Sequence, residues 1–252
     1  MFKRFIFWLT LPFALPQALW IRKTANRFDG AAGEKAGYIG DGPPCRLLAI
    51  GDSLVEGVGA STLDKALVGH TARAMAAQFG VTVHWTAIGQ SGARTHDITR
   101  GLVPTMPEQP FHVMLISTGV NDVTGLTRTT RFKVDLHKLI AALRQHSTDA
   151  QIVLTGTPPM GEFPLLPQPL RAILGLRAEI LDTVTQQVAD ETGSIHVPVD
   201  IEPDPMKFAD DGYHPSESGY ADFGEAISLS LESVNSAFSR PRQNVVPLHK
   251  GR

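Results

Sequence analysis

The chain has 252 residues, 23 Lys and Arg against 25 Asp and Glu, and a formal net charge of −2 with its nine histidines neutral. That length suits one α/β domain with tails and a large buried core, and the charge balance supplies no positive field of the kind that nucleic-acid binding needs. The single cysteine, Cys45, can form no internal disulfide and cannot by itself begin a cysteine-based zinc site.

Residues 1–28 differ in composition from everything after them. Lys3 and Arg4 precede sixteen mostly apolar residues, Phe5 to Trp20, and Arg22 and Lys23 close the run. A basic start followed by an apolar stretch resembles a signal segment, yet no small-x-small cleavage site follows, and Ala14 and Ala18 stand either side of Pro16. Sixteen residues interrupted by Pro12 and Pro16 also fall short of the roughly 20 that a spanning helix needs. Basic flanks with Trp8 and Trp20 near the ends suit a segment lying in a membrane interface. The expectation is an uncleaved, membrane-associated segment first, export to a periplasm-like location second and a packed N-terminal arm third, with a cytoplasmic location less favoured than association or export.

Residues 29–44, "DGAAGEKAGYIGDGPP", show no periodicity and read as a linker. The folded domain is therefore expected over 45–238, followed by a polar, basic tail at 239–252 that frays. Within the domain, apolar runs at 46–50, 81–88, 112–118, 151–157 and 194–199 predict strands, several apolar enough to be buried on both faces. Helical spacing of apolar residues covers 64–79, 129–146, 170–191 and 216–238. This alternation implies βαβ units and a parallel sheet with helices on both sides, a three-layer α/β/α sandwich.

In such a sheet, ligand sites form where the strands' carboxyl ends run into loops. Ser53 follows the first strand, Gly89 to Arg94 the second and Gly119 to Asp122 the third. Ser53 in "IGDSLVEGVGA" is a nucleophile or simply part of a turn, since Gly, Asp and Ser are all turn formers. Asn121 can cap a helix or aim an amide donor at developing negative charge, and Gly92 offers a bare backbone N–H. Asp211 and His214, three residues apart before a helix that starts near Pro215 and Ser216, allow a carboxylate to orient an imidazole that faces the cleft. The plain alternative is a surface histidine with Asp211 capping the helix.

Together, "GDSL" at 51–54, "SG" at 91–92, "GVND" at 119–122 and "DGYHP" at 211–215 resemble the SGNH, or GDSL, family of serine hydrolases, in the family's order and over about 47–235. The resemblance implies a flavodoxin-like parallel sheet, with Ser53 as nucleophile, His214 as general base and Asp211 as its orienting acid. It also implies an oxyanion hole formed by the Ser53 N–H, the Gly92 N–H and the Asn121 side chain. Asp52 is read as holding the strand-to-helix turn, not as the acid. One departure is Ala87, where the family often has Asn five residues before the second-loop Gly.

The remaining polar residues carry less. His70, His84, His112, His137, His146 and His196 lack metal-ligand spacing, so no metal is expected. "GVGA" at 57–60 lacks the G-x-G-x-x-G frame of a dinucleotide loop, so no cofactor is expected either. Arg94 and His96 are substrate contacts or an exposed helix start. The proline-rich segment 157–175, with Phe163, Leu165, Leu166 and Leu170, is a lid or apolar wall, or packs on the core. The expected activity is hydrolysis of a small-molecule ester with a short to medium acyl chain. Thioesters, lysophospholipids and acetylated sugars are the alternatives, and a non-enzymatic membrane-interface module stands outside that class.

Overall fold

The computed structural model describes residues 2–24, 28–199 and 204–231. The expected tail at 239–252 and the end of the last expected helix lie outside them. In chain order the elements are α1 (Phe2–Thr24), β1 (Ala36–Ile39), β2 (Pro44–Gly51), α2 (Ser53–Glu56), α3 (Leu67–Phe79), β3 (Thr82–Gly89) and α4 (Thr95–Asp97), which runs on into a wide turn at Ile98–Leu102. There follow β4 (Val113–Ser117), α5 (Val120–Thr124), α6 (Thr129–His146), β5 (Gln151–Thr155), α7 (Leu170–Thr192), β6 (Ile195–Val197) and α8 (Glu217–Ser230).

The sheet order is β1-β3-β2-β4-β5-β6. Its five parallel strands reproduce the flavodoxin-like 2-1-3-4-5 arrangement, and the sixth, β1, runs antiparallel to β3 at the edge. Every residue of β4 is buried, as a strand covered by helices on both faces requires. Alternate side chains feed two cores. Leu47, Ala49, Val113 and Leu115 meet α3 and α8, while Leu48, Ile50, Met114 and Ile116 meet α6, α7 and α1. The fold is thus a three-layer α/β/α sandwich.

The segment 29–44 departs from the linker reading, because β1 lies inside it. Residues 36–39 pair with 83–86, Gly37 lies under the ring of the buried Trp85, and Ile39 packs on the α3 side of the core. Four residues with exposed Tyr38 between half-buried neighbours are too few to show a period of two. Ahead of β1, Ala31 and Ala32 donate to Glu56 and Ser61. The chain therefore joins the domain before Cys45.

Helix α1 lies along α7. Phe7 and Ala14 are fully buried, and Leu11, Ala18 and Ile21 pack on the same core. The guanidinium of the buried Arg177 sits 4.8 Å from the centre of the Phe7 ring and donates to the Val123 and Thr127 carbonyls. Among the described residues, no helix is long and apolar enough to cross a membrane.

Candidate active site

The switch point of the sheet lies between β2 and β4, the place where open α/β sheets bind ligands. Here Gly51 leaves no room for a side chain, since a Cβ would stand 2.2 Å from the Ser117 carbonyl oxygen. Directly after it, Asp52 caps α2. Its Oδ1 accepts from the Leu54 N–H at 3.2 Å and the Ser117 hydroxyl at 3.0 Å. The carboxyl is 1% exposed, and burial pushes its pKa up to about 6, against the pull of those hydrogen bonds and of His214. Asp52 thus ties the ends of β2 and β4 together, and Ser53 begins α2 between them.

His214 reaches Ser53 from the far end of the chain. His214 Nε2 lies 3.0 Å from Ser53 Oγ, and Nδ1 lies 2.6 Å from Asp211 Oδ2. Asp211 Oδ1 accepts the Tyr213 and His214 N–H groups, both at 2.9 Å. Burial raises the Asp211 pKa, but the hydrogen bonds from the His214 ring and the two backbone groups outweigh it, and the net shift is downward. An ionised Asp211 can only accept, so Nδ1 carries the imidazole proton and Nε2 presents its lone pair to the Ser53 hydroxyl. The chain of groups can draw the Ser53 proton onto His214.

The second loop is held from three sides. Glu56 Oε2 accepts the Ser91 N–H at 2.6 Å, Asn121 Nδ2 donates to the Ala93 carbonyl at 3.0 Å, and Asp122 Oδ2 accepts the Thr95 N–H and hydroxyl at 3.0 and 2.8 Å. Gly92 lies between these clamps with φ +80°, a left-handed backbone that favours glycine. Among the described residues, no turn, loop or cap hydrogen bond uses the N–H of Ser53 or of Gly92. Asn121 spends one of its two amide hydrogens on Ala93, which leaves the other. The sequence does not mark Glu56, Asp122 or Thr95 as part of a site. The only signal for them was Asp122 inside "GVND", because a glutamate in a turn of helix looks like a solvated charge.

A cavity of about 270 Å³ opens beside Ser53 and His214. Its walls are mostly apolar and include Leu54, Val120, Phe163, Phe208, Tyr213 and Phe223, with the Lys207–Asp222 ion pair also on its lining. Phe163 meets Tyr213 edge-on at 5.0 Å, and Tyr213 meets the His214 ring at 5.2 Å. From the proline-rich segment, Pro158 and Phe163 line the cavity, while Leu166 and Leu170 join the core, so that segment is both wall and packing. Arg94 and His96 are not on the cavity lining; the Arg94 guanidinium lies over Gly125 and His96 pairs with Asp97. Cys45 is buried in the α3 layer, and burial pushes its pKa up to about 12 against the opposing charge of Arg46, which leaves it a poor nucleophile.

Residues 49–221 match the model of the GDSL-like Lipase/Acylhydrolase family. The chain belongs to this family. A GDSL-like esterase of Mycobacterium tuberculosis is 27% identical over 198 residues. The alignment takes in 75% of this chain but 62% of that relative's length. Two solved structures share the GDSL-like fold at low identity. One is a carbohydrate esterase family 2 enzyme with a carbohydrate binding domain, from Corynascus thermopiles (Myceliophthora fergusii), at a TM-score of 0.62 and 14% identity, covering 79% of this chain and 68% of that one. The other is a phospholipase A1 from Streptomyces albidoflavus, at 0.52 and 16%, covering 74% and 98%.

Proposed function

We propose that this GDSL-like protein is a serine-dependent hydrolase of carboxylic esters with short to medium acyl chains, working through an acyl-enzyme on Ser53. The observation that carries the reading is the hydrogen-bonded run Ser53 Oγ to His214 to Asp211 at the mouth of an apolar cavity. Ser53 Oγ attacks the acyl carbon as its proton passes to His214 Nε2, and Asp211 steadies the imidazolium. The Ser53 and Gly92 N–H groups and the second Asn121 amide hydrogen face the developing oxyanion, and losing one such donor costs about 3 to 4 kcal/mol. His214 then protonates the departing alcohol. In the second half a water gives its proton to His214 and attacks the acyl carbon, which frees the acid and restores the Ser53 hydroxyl.

The family match supports hydrolysis of acyl groups, and the relatives' names span a GDSL-like esterase, a carbohydrate esterase and a phospholipase. The apolar lining favours an acyl chain over a sugar on that side of Ser53. At about 270 Å³ the cavity lies just under the usual span of roughly 300 to 1,000 Å³ for small-molecule sites, which favours the shorter chains. Thioesters and lysophospholipids fit the same triad. The partners in this reading are a small-molecule ester and, through residues 1–28, a membrane surface.

Hydrolysis of p-nitrophenyl esters from acetate to palmitate, by the protein and by Ser53→Ala, tests the reading. Turnover that peaks at short to medium chains and vanishes in the variant is expected. If neither protein exceeds buffer on any ester or thioester, the proposal fails and a non-enzymatic membrane-interface module takes its place.

A further inference from the structure

Helix α1 has two apolar arcs, and the domain covers one of them. Phe7, Leu11, Ala14, Ala18 and Ile21, spaced by four and three residues, face α7 and the core. On the opposite arc Phe5, Trp8, Leu9, Phe13, Leu19 and Trp20 are between 51% and 76% exposed. Their spacing puts them on one side of a helix, with Pro12 and Pro16 among them. A helix that is apolar all round is normally covered all round, and a contiguous exposed apolar stripe marks an interaction surface.

Charge decides what covers it. The sequence of residues 1–28 has five basic residues, Lys3, Arg4, Arg22, Lys23 and Arg27, and no acidic one, so it stays net positive with Lys3 paired to Glu179, in a chain whose total is −2. A second copy laid on this arc would bring like charge against like. An anionic phospholipid surface offers opposite charge, and the exposed indoles of Trp8 and Trp20 suit the boundary between headgroups and acyl chains. The helix is fastened to the domain towards both ends, by Lys3 to Glu179 at 2.5 Å and by the Gln17 amide, which donates to the Gln168 carbonyl and accepts the Leu170 N–H. It is therefore held flat on the domain, in the posture of an interfacial helix.

We infer that the outward arc of α1 is a docking face for an anionic phospholipid surface, with the helix lying in the headgroup plane. The inference rests on the membrane-surface part of the proposed function and names its lipid chemistry and the side chains that enter it. It is independent of Ser53.

The test is co-sedimentation of the full chain with vesicles of phosphatidylglycerol and phosphatidylcholine in equal parts, against vesicles of phosphatidylcholine alone, followed also by tryptophan emission. The triple variant Leu9→Ser, Phe13→Ser, Leu19→Ser is compared, with melting temperature and hydrolysis of a soluble ester as controls on folding. We expect at least tenfold tighter binding to the anionic vesicles, a blue shift from Trp8 and Trp20, and at least tenfold weaker binding by the variant at unchanged melting temperature. Absence of sedimentation with anionic vesicles overturns the inference, as does undiminished binding by the variant. Equal binding to both vesicle types overturns the anionic docking face while leaving membrane association standing. A dimer that the variant dissociates, without vesicle binding, assigns the arc to a second copy. None of these outcomes touches the esterase assay, so the two readings fail separately.

Discussion

Asp52→Asn should stabilise the protein at neutral pH. The Asp52 carboxyl is 1% exposed, and burial raises its pKa from 3.8 to about 6. An acid whose folded pKa lies above its unfolded value binds more protons in the native state between the two, so stability falls as pH rises through that window. Taking those two values, ionising Asp52 costs about 1 kcal/mol of stability at pH 4.5 and about 3 kcal/mol at pH 7.5. Asparagine keeps an oxygen to accept from Leu54 and Ser117 and never ionises. Urea unfolding of both proteins at pH 4.5, 5.5, 6.5 and 7.5 isolates the effect, because carboxylates such as Asp211 whose pKa shifts downward titrate in both and cancel in the difference. The stability gap in favour of the variant should widen by about 2 kcal/mol between pH 4.5 and 7.5. A gap that stays flat, or narrows as pH rises, would refute a buried carboxyl that resists ionisation at the turn before Ser53.

Four further outcomes follow from the site. His214→Ala should lower kcat on a p-nitrophenyl ester by about 10⁴-fold or more and Asp211→Asn by about 10³- to 10⁴-fold, with full turnover in either arguing against the proton path. Glu56→Ala should lower kcat on the order of tenfold with KM little changed, because the Ser91 N–H loses a charged acceptor; Glu56→Gln, which restores an acceptor, should recover most of it, and equal loss in both would leave Glu56 only a structural part. Gly92→Ala places a side chain at φ +80° and should cost about 1 to 2 kcal/mol in urea unfolding together with a lower kcat, whereas wild-type behaviour would free the second loop from the oxyanion role. Ala226→Phe, on the cavity lining, should cut kcat/KM for hexanoate and longer esters by about tenfold or more while acetate stays within about threefold, and an unchanged chain-length profile would move the acyl site elsewhere.

The sheet was readable because its strands are continuous apolar runs separated by long amphipathic helices, a pattern that only a covered parallel sheet explains. Ser53, Gly92 and Asn121 could be placed on one edge for the same reason, since loops at the carboxyl ends of parallel strands converge there, whereas Asp211 and His214 joined them through the motif resemblance alone. What was not readable depends on contacts between distant segments. β1 has four residues and no visible period, and it becomes a strand only because β3 has an open edge for it. Glu56 looks like one more solvated charge until the loop after β3 brings the Ser91 N–H to its carboxylate. Arg177 sits within an amphipathic helix, yet it is 2% exposed because α1 covers it. The two arcs of α1 could not be told apart from sequence, since both are apolar and only the domain distinguishes them.

In the proposed mechanism Ser53 takes the acyl group with His214 as its base. Reaction with a fluorophosphonate ester, followed by mass spectrometry of the intact protein and its peptides, tests this most directly. One equivalent of phosphonyl adduct on Ser53, with parallel loss of ester hydrolysis, no adduct in Ser53→Ala and labelling slowed by orders of magnitude in His214→Ala, is the predicted result. An adduct on another residue, or ester hydrolysis that survives complete labelling of Ser53, would contradict it.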